Sequence, residues 1–188
     1  LIDIPMDMQR CSVPDSMPKK QQCDNTLSFD GFAINGVLEL LSDLKKAKKP
    51  LILAGGGVRA SKSAEEFRTV VRQLGIPVVN SLMGVDVLDY HSEHRCGLIG
   101  SYGNRWANKA LGESDFLIVM GSRLDIRQTG SDKSFFTKDR IVWHIDCDES
   151  EIGAQVKGCK GIVSHLKPFL GKLAEIAKIE LPDGFVCN

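Results

Sequence analysis

The stretch that most constrains this chain runs Lys49-Pro50-Leu51-Ile52-Leu53-Ala54-Gly55-Gly56-Gly57-Val58-Arg59-Ala60. An apolar run stops abruptly at three glycines, and a helix-like pattern follows. Strand, glycine turn and helix start together form the phosphate-facing corner of a dinucleotide-binding unit. Unpaired N–H groups and the helix dipole favour an anion there, and glycine lets it approach the backbone. Gly55, Gly57 and Ala60 satisfy the G-x-G-x-x-G/A spacing. The same corner closes many α/β units that bind nothing, so the rest of the chain must decide.

The chain has 188 residues, enough for one domain with a sizeable core, or one domain plus tails. Its 24 basic and 24 acidic residues cancel. That balance argues against nucleic-acid or membrane-surface partners, which call for a basic excess. No apolar run approaches a bilayer-spanning length and the start is no signal peptide, so a cytoplasmic protein is expected. The six cysteines form no C-x-x-C pair and read as reduced thiols. His91, His94 and Cys96 are close in sequence, but they sit in a polar turn with no evident fourth ligand.

The opening Leu1-Ile2-Asp3-Ile4-Pro5 reads as the end of a buried strand, hence as a piece of a longer protein. Residues 5–28 read as a linker. A helix is expected from Asp30 to about Ala47, with Phe32, Ile34, Val37, Leu38, Leu41 and Leu44 at helical spacing and Gly36 as a weak point. Pro50 to Ala54 is the first strand. Ser61 or Ser63 then caps a helix with Ala64, Phe67, Val70, Val71 and Leu74 inward and Gly75 as its stop. Ile76 to Asn80 completes a βαβ unit. A long irregular region to about Arg105 is expected to be functional, as such loops usually are. A short helix over 106–113, strands over 115–120, 140–145 and 160–163, and a helix over 164–178 follow. The alternation gives an α/β fold, an open, mainly parallel sheet of about six strands with helices on both faces. Residues 1–28 are expected to hold the end of a preceding domain and a linker, 29–180 the domain itself, and 181–188 the start of a C-terminal linker.

In such sheets ligands lie beyond the carboxyl ends of the strands. Those ends carry Gly55-Gly56-Gly57, Ser81-Leu82-Met83-Gly84, the run from Gly121 to Arg127, and Asp146-Cys147-Asp148. Arg123 and Arg127 suit a phosphate clamp. Equally, Arg123 pairs with Asp125 or Asp146 and holds two loops together. Asp146 suits a ribose hydroxyl or, equally, caps the turn at Glu149. The acid a dinucleotide fingerprint wants after the second strand is missing, since Asn80-Ser81 stands there. No G-x-S-x-G, phosphate-loop or H-E-x-x-H pattern occurs. His144 reads as a core histidine, His165 as solvated, and Met83 and Trp143 as packing residues. Tyr102 and Trp106 suit ring stacking or interface packing.

These residues carry a family likeness. The stretch from Lys49 to Arg59, then Leu74 to Val79, then Ser81 to Gly84, resembles the central domain of thiamine-diphosphate-dependent enzymes, with acetolactate synthase the nearest group. Gly97 to Gly103, Gly121 to Asp125, His144-Ile145-Asp146 and Glu151-Ile152-Gly153 extend the match in order over about residues 30–178. The resemblance implies a Rossmann-like (DHS-like) fold between two outer domains. Those domains bind thiamine diphosphate and magnesium in a homodimeric or homotetrameric parent that acts on 2-keto acids. The family's Gly-Asp-Gly metal motif does not occur here, so no catalysis is expected from this chain alone. The resemblance also implies a structural FAD, with contacts on Gly55, Gly56, Gly57, Ser81, Leu82, Gly121, Arg123, Asp125, Arg127 and Asp146. Gly100-Ser101-Tyr102-Gly103 replaces the flavin group's Gly-Met-His-Gly, and Arg123-Leu124-Asp125-Ile126-Arg127 its Arg-Phe-Asp-Asp-Arg. FAD, another nucleotide and an empty vestigial corner therefore stay open, as does a freestanding NAD-dependent oxidoreductase.

Overall fold

The structure, a computed structural model, describes residues 6–10, 12 and 31–181. In chain order the elements are α1 (Met6–Gln9), α2 (Gly31–Leu44), β1 (Pro50–Ala54), α3 (Gly56–Ala60), α4 (Ala64–Leu74), β2 (Val78–Asn80), β3 (Arg95–Leu98), α5 (Arg105–Glu113), β4 (Phe116–Met120), α6 (Ile126–Thr129), α7 (Ser134–Thr137), β5 (Ile141–Asp146), β6 (Lys160–Val163) and α8 (Leu166–Glu180). Short 3-10 turns cover Leu82–Gly84 and Glu149–Glu151.

The six strands form one sheet in the order β3-β2-β1-β4-β5-β6, and every pairing is parallel. Parallel strands need both faces covered, which is why β1 and β4 are apolar and buried at every position. Alternation then sorts their side chains. Ile52, Ala54, Ile118 and Met120 face one core with α2, α4 and α8, whereas Leu51, Leu53, Leu117 and Val119 face a second with α5 and Phe136.

The helices follow from their apolar spacing. Phe67, Val70, Val71 and Leu74 bury one side of α4, and Gly75 ends it at φ +64°, a left-handed cap that glycine takes without strain. Leu166, Phe169, Leu170, Leu173 and Ile176 bury α8 as the spacing predicts. Asp115 fastens the sheet's amino edge, because its carboxylate accepts the N–H groups of Lys48 (2.9 Å) and Lys49 (2.8 Å) just before β1. At the far side, Asp43 on α2 accepts from the Trp143 indole (3.3 Å) and from Lys160 (2.8 Å), joining α2 to β5 and β6.

Several expectations need correction. The region expected to be irregular up to Arg105 contains β3, an edge strand whose Arg-Cys-Gly-Leu composition hides it. Helix α2 stops at Leu44, three residues before Ala47, and it buries Leu40 while Leu38 faces outward. Ser63 stands before α4 without capping it, since its hydroxyl donates to the Val58 carbonyl instead. Ala64 is only half-buried. Within the expected linker, Met6–Gln9 is a helical turn. The strand expected at Leu1–Pro5, the remaining linker and residues 182–188 lie outside the described residues, as do Cys11, Cys23 and Cys187.

Candidate functional site

Strand order reverses between β1 and β4, because β1 is followed in sequence by β2 on one side while β4 lies on the other. The crevice beyond the carboxyl ends of these two strands is where an open α/β sheet binds its ligand. Gly55, Gly56 and Gly57 form one wall and the Gly121 turn the other.

The two walls touch. Gly57 donates its N–H to the Gly121 carbonyl (2.9 Å), and Gly55 donates to the Met120 carbonyl (2.9 Å). A Cβ on Gly57 would lie 2.7 Å from the Gly121 Cα, and one on Gly55 would overlap the Gly121 carbonyl. Gly121 itself holds φ +61°, where side chains are strained. The glycine pattern thus has a reason inside the fold, independent of any ligand.

Around this contact stand the other residues singled out from the sequence. Ser81 is buried and donates its N–H to the Ala54 carbonyl (2.9 Å), which seats the turn after β2 against β1. Asn80, fully buried, donates from Nδ2 to the Gly84 carbonyl (2.8 Å). The position of the absent ribose acid is therefore an internal clasp of that turn. Leu82 and Met83 project outward, 66% and 65% exposed. Met83, read as a packing residue, is instead mostly exposed, with its Cβ and Cγ beside Gly56.

Arg123 is 81% exposed and makes one ion pair, Nε to Glu151 at 3.3 Å. It does join two loops, though through Glu151 and not through Asp125 or Asp146. Arg127 is 71% exposed and pairs with Asp125 at 3.4 Å. Asp125 starts α6, accepting the N–H of Arg127 (2.8 Å). Asp146 accepts the N–H of Asp148 (3.1 Å), and Asp148 in turn caps the turn at Glu149 through the Ser150 N–H (2.9 Å). Tyr102 and Trp106 are exposed on and after the glycine loop that follows β3.

Two features of this edge were not legible in the sequence. Leu124 is buried at φ +54°, a left-handed conformation that is unusual for leucine and tucks the Arg123 turn inward. Below it, His144 is buried and its Nε2 lies 2.8 Å from the Ser122 carbonyl. That oxygen only accepts, so Nε2 carries the proton. Burial lowers the His144 pKa, against the opposing pull of the Ser122 carbonyl, Asp146 and Glu151. A neutral imidazole in the core fits the reading of His144 as a core residue. Trp143 is likewise buried, as expected.

Whether this edge suits FAD depends on its donors. The two exposed arginines offer charge and hydrogen bonds to a pyrophosphate, and Leu82, Met83 and Tyr102 offer apolar faces to a ring. The Gly57 N–H is already engaged, so an anion would be held by the arginines more than by the glycine turn. Among the described residues no His, Cys, Asp and Glu cluster could hold a metal, and no helix is long and apolar enough to cross a membrane.

Comparison with known proteins places the chain. Residues 37–173 match the family model described as the thiamine pyrophosphate enzyme, central domain. The acetolactate synthase large subunit of Lactococcus lactis is 35% identical over 178 residues, covering 95% of this chain and 31% of the relative. The chloroplastic acetolactate synthase 2 of Nicotiana tabacum is 33% identical over 178 residues, covering 94% and 26%. A solved Mycobacterium smegmatis structure, described as a candidate thiamin diphosphate-dependent enzyme, shares the fold with a TM-score of 0.66 at 16% identity, over 81% of this chain and 29% of that one. The chain thus spans less than a third of the length of these relatives.

Proposed function

Because the chain belongs to the thiamine pyrophosphate enzyme central-domain family, we propose that it is the middle, scaffolding domain of an acetolactate-synthase-like carboligase. Likeness to the Lactococcus lactis synthase over nearly the whole chain carries this reading. The flanking domains would supply thiamine diphosphate and magnesium, in a homodimer or homotetramer in the cytoplasm. Thiamine diphosphate, where bound, stabilises the carbanion formed from a 2-keto acid. This chain's own residues do none of that chemistry.

We further propose that the edge beyond β1 and β4 holds an ADP-containing nucleotide, with FAD, the occupant the acetolactate-synthase resemblance implies, as the first to test. The contacts would be Gly55, Gly56, Gly57, Ser81, Leu82, Gly121, Arg123, Asp125, Arg127 and Asp146. Supporting this, Arg123 and Arg127 both follow the Gly121 turn at the strand reversal, both largely exposed and each paired with one carboxylate among the described residues. An anion with two negative phosphates would outcompete such one-point pairs. Against a freestanding NAD-dependent oxidoreductase stands Asn80, whose amide closes on Gly84 where a ribose-binding acid is needed.

Calorimetric titration with FAD, ADP and NAD tests the nucleotide site. Micromolar binding of FAD or ADP is expected, and binding of NAD with hydride transfer would overturn the reading. Thiamine-dependent consumption of a 2-keto acid by the full-length protein tests the parent activity separately.

A further inference from the structure

A pocket of about 250 Å3 opens at the opposite edge of the sheet, at the amino ends of the strands. Pro50 and Leu51 of β1, Pro77 before β2, Cys96 of β3 and Ala110 of α5 form its walls. Lys48, Lys49 and Glu113 stand at its rim. The acids there are already engaged. Asp115 accepts the N–H groups of Lys48 and Lys49. Glu113 pairs with Lys49 (3.3 Å) and with Lys109 (3.7 Å). The ammonium of Lys48 has no partner among the described residues.

We propose that this pocket binds a small apolar monocarboxylate, its hydrocarbon body against Leu51, Pro77, Cys96 and Ala110 and its carboxylate at Lys48. Walls of this composition favour a hydrocarbon over water. The volume lies below the roughly 300–1,000 Å3 of drug-sized sites, which restricts the ligand to a short chain. Burial keeps the Cys96 thiol protonated, so the wall adds no negative charge to repel an anion. The rim carries one positive charge in excess, and Lys48 is the cation left free to meet the carboxylate. The site is separate from the carboxyl-edge crevice and does not depend on what that crevice binds.

Cys96 provides the readout. The full chain is alkylated with iodoacetamide, with and without hexanoate, and the rate at each cysteine is followed by peptide mass spectrometry. Cys147, exposed beyond the other end of β5, serves as the internal control. Millimolar hexanoate should slow alkylation of Cys96 several-fold and leave Cys147 unchanged, and neutral hexanol should protect markedly less. Lys48→Glu should weaken the protection about fivefold. Ala110→Phe, which fills the pocket, should abolish its dependence on hexanoate. Lys48 is at the surface, so its variant keeps the test intact if Ala110→Phe fails to fold. An unchanged Cys96 rate with hexanoate, equal protection by hexanol, or full protection in Lys48→Glu would each overturn the proposal.

Discussion

Gly57 and Gly121 meet backbone to backbone, one donating an N–H to the other's carbonyl at 2.9 Å across the strand reversal. A methyl group on Gly57 would sit 2.7 Å from the Gly121 Cα, with backbone and no flexible side chain to yield. Gly57→Ala should therefore cost about 2–4 kcal/mol in urea unfolding. A loss below about 0.5 kcal/mol would mean that the two turns separate easily.

The arginines should behave in the opposite way. Arg123→Ala and Arg127→Ala remove only exposed, single-point ion pairs, so stability should change by less than about 1 kcal/mol each. Affinity for ADP, read by calorimetry, should fall about tenfold for each. Unaltered affinity in the double variant would remove the arginines from the nucleotide site.

Restoring the fingerprint acid should not restore dinucleotide binding. In Asn80→Asp a carboxylate would replace the fully buried amide that donates to Gly84. It can neither donate that bond nor find water, and about 2–4 kcal/mol of stability should be lost. Chemical denaturation of the variant, with NAD titration beside it, checks both halves.

His144 should give acid sensitivity. Its folded pKa is lowered by burial from an ordinary value of 6.5, so below that pH the unfolded chain binds the extra proton and the folded chain resists it. Stability from this group is complete above pH 6.5 and declines as pH falls toward the folded pKa. His144→Gln should flatten that part of the stability–pH curve, measured by thermal melts between about pH 5 and 7.5. Equal slopes in variant and wild type would show that the imidazole is not the cause.

Asp43 acts in a lower window. Burial alone would raise its pKa, but the Lys160 hydrogen bond and charge, the Trp143 indole and Lys46 together outweigh burial and lower it. Its stabilisation is present above the ordinary carboxylate pKa of 3.8 and is lost as pH falls through the lower folded value. Asp43→Asn should cost about 1–3 kcal/mol at pH 7, and the difference from wild type should shrink below about pH 3.8.

What the sequence discloses is what repeats locally. The continuous apolar runs of β1 and β4, and the spacing of Phe67, Val70, Val71 and Leu74, specify the buried strands and helix faces without outside help. Strand β3 escapes because an edge strand with arginine, cysteine and glycine has no periodicity to read. On helix α2 the expected Val37, Leu41 and Leu44 are buried, but one inward position is misjudged, Leu38 for Leu40 two residues on, because leucines occupy both faces there. At the crevice the candidate residues are visible, but their partners are not. Glu151 lies 28 positions from Arg123, and only the parallel placement of β4 and β5 brings their turns together. Likewise, nothing in the sequence says that Asn80 closes on Gly84 or that Leu82 and Met83 project outward.

The Asp115 carboxylate grips the chain just before β1, while the Gly57–Gly121 contact ties β1 to β4 just past their other ends. The central pair of strands is thus latched at both ends, like a door held by two bolts. Local opening must release one bolt before the amides between Leu51 and Leu53 exchange with solvent. Motion should therefore collect in the outer strands β3 and β6, and the two opposite edges should stay in fixed register with one another while those margins breathe.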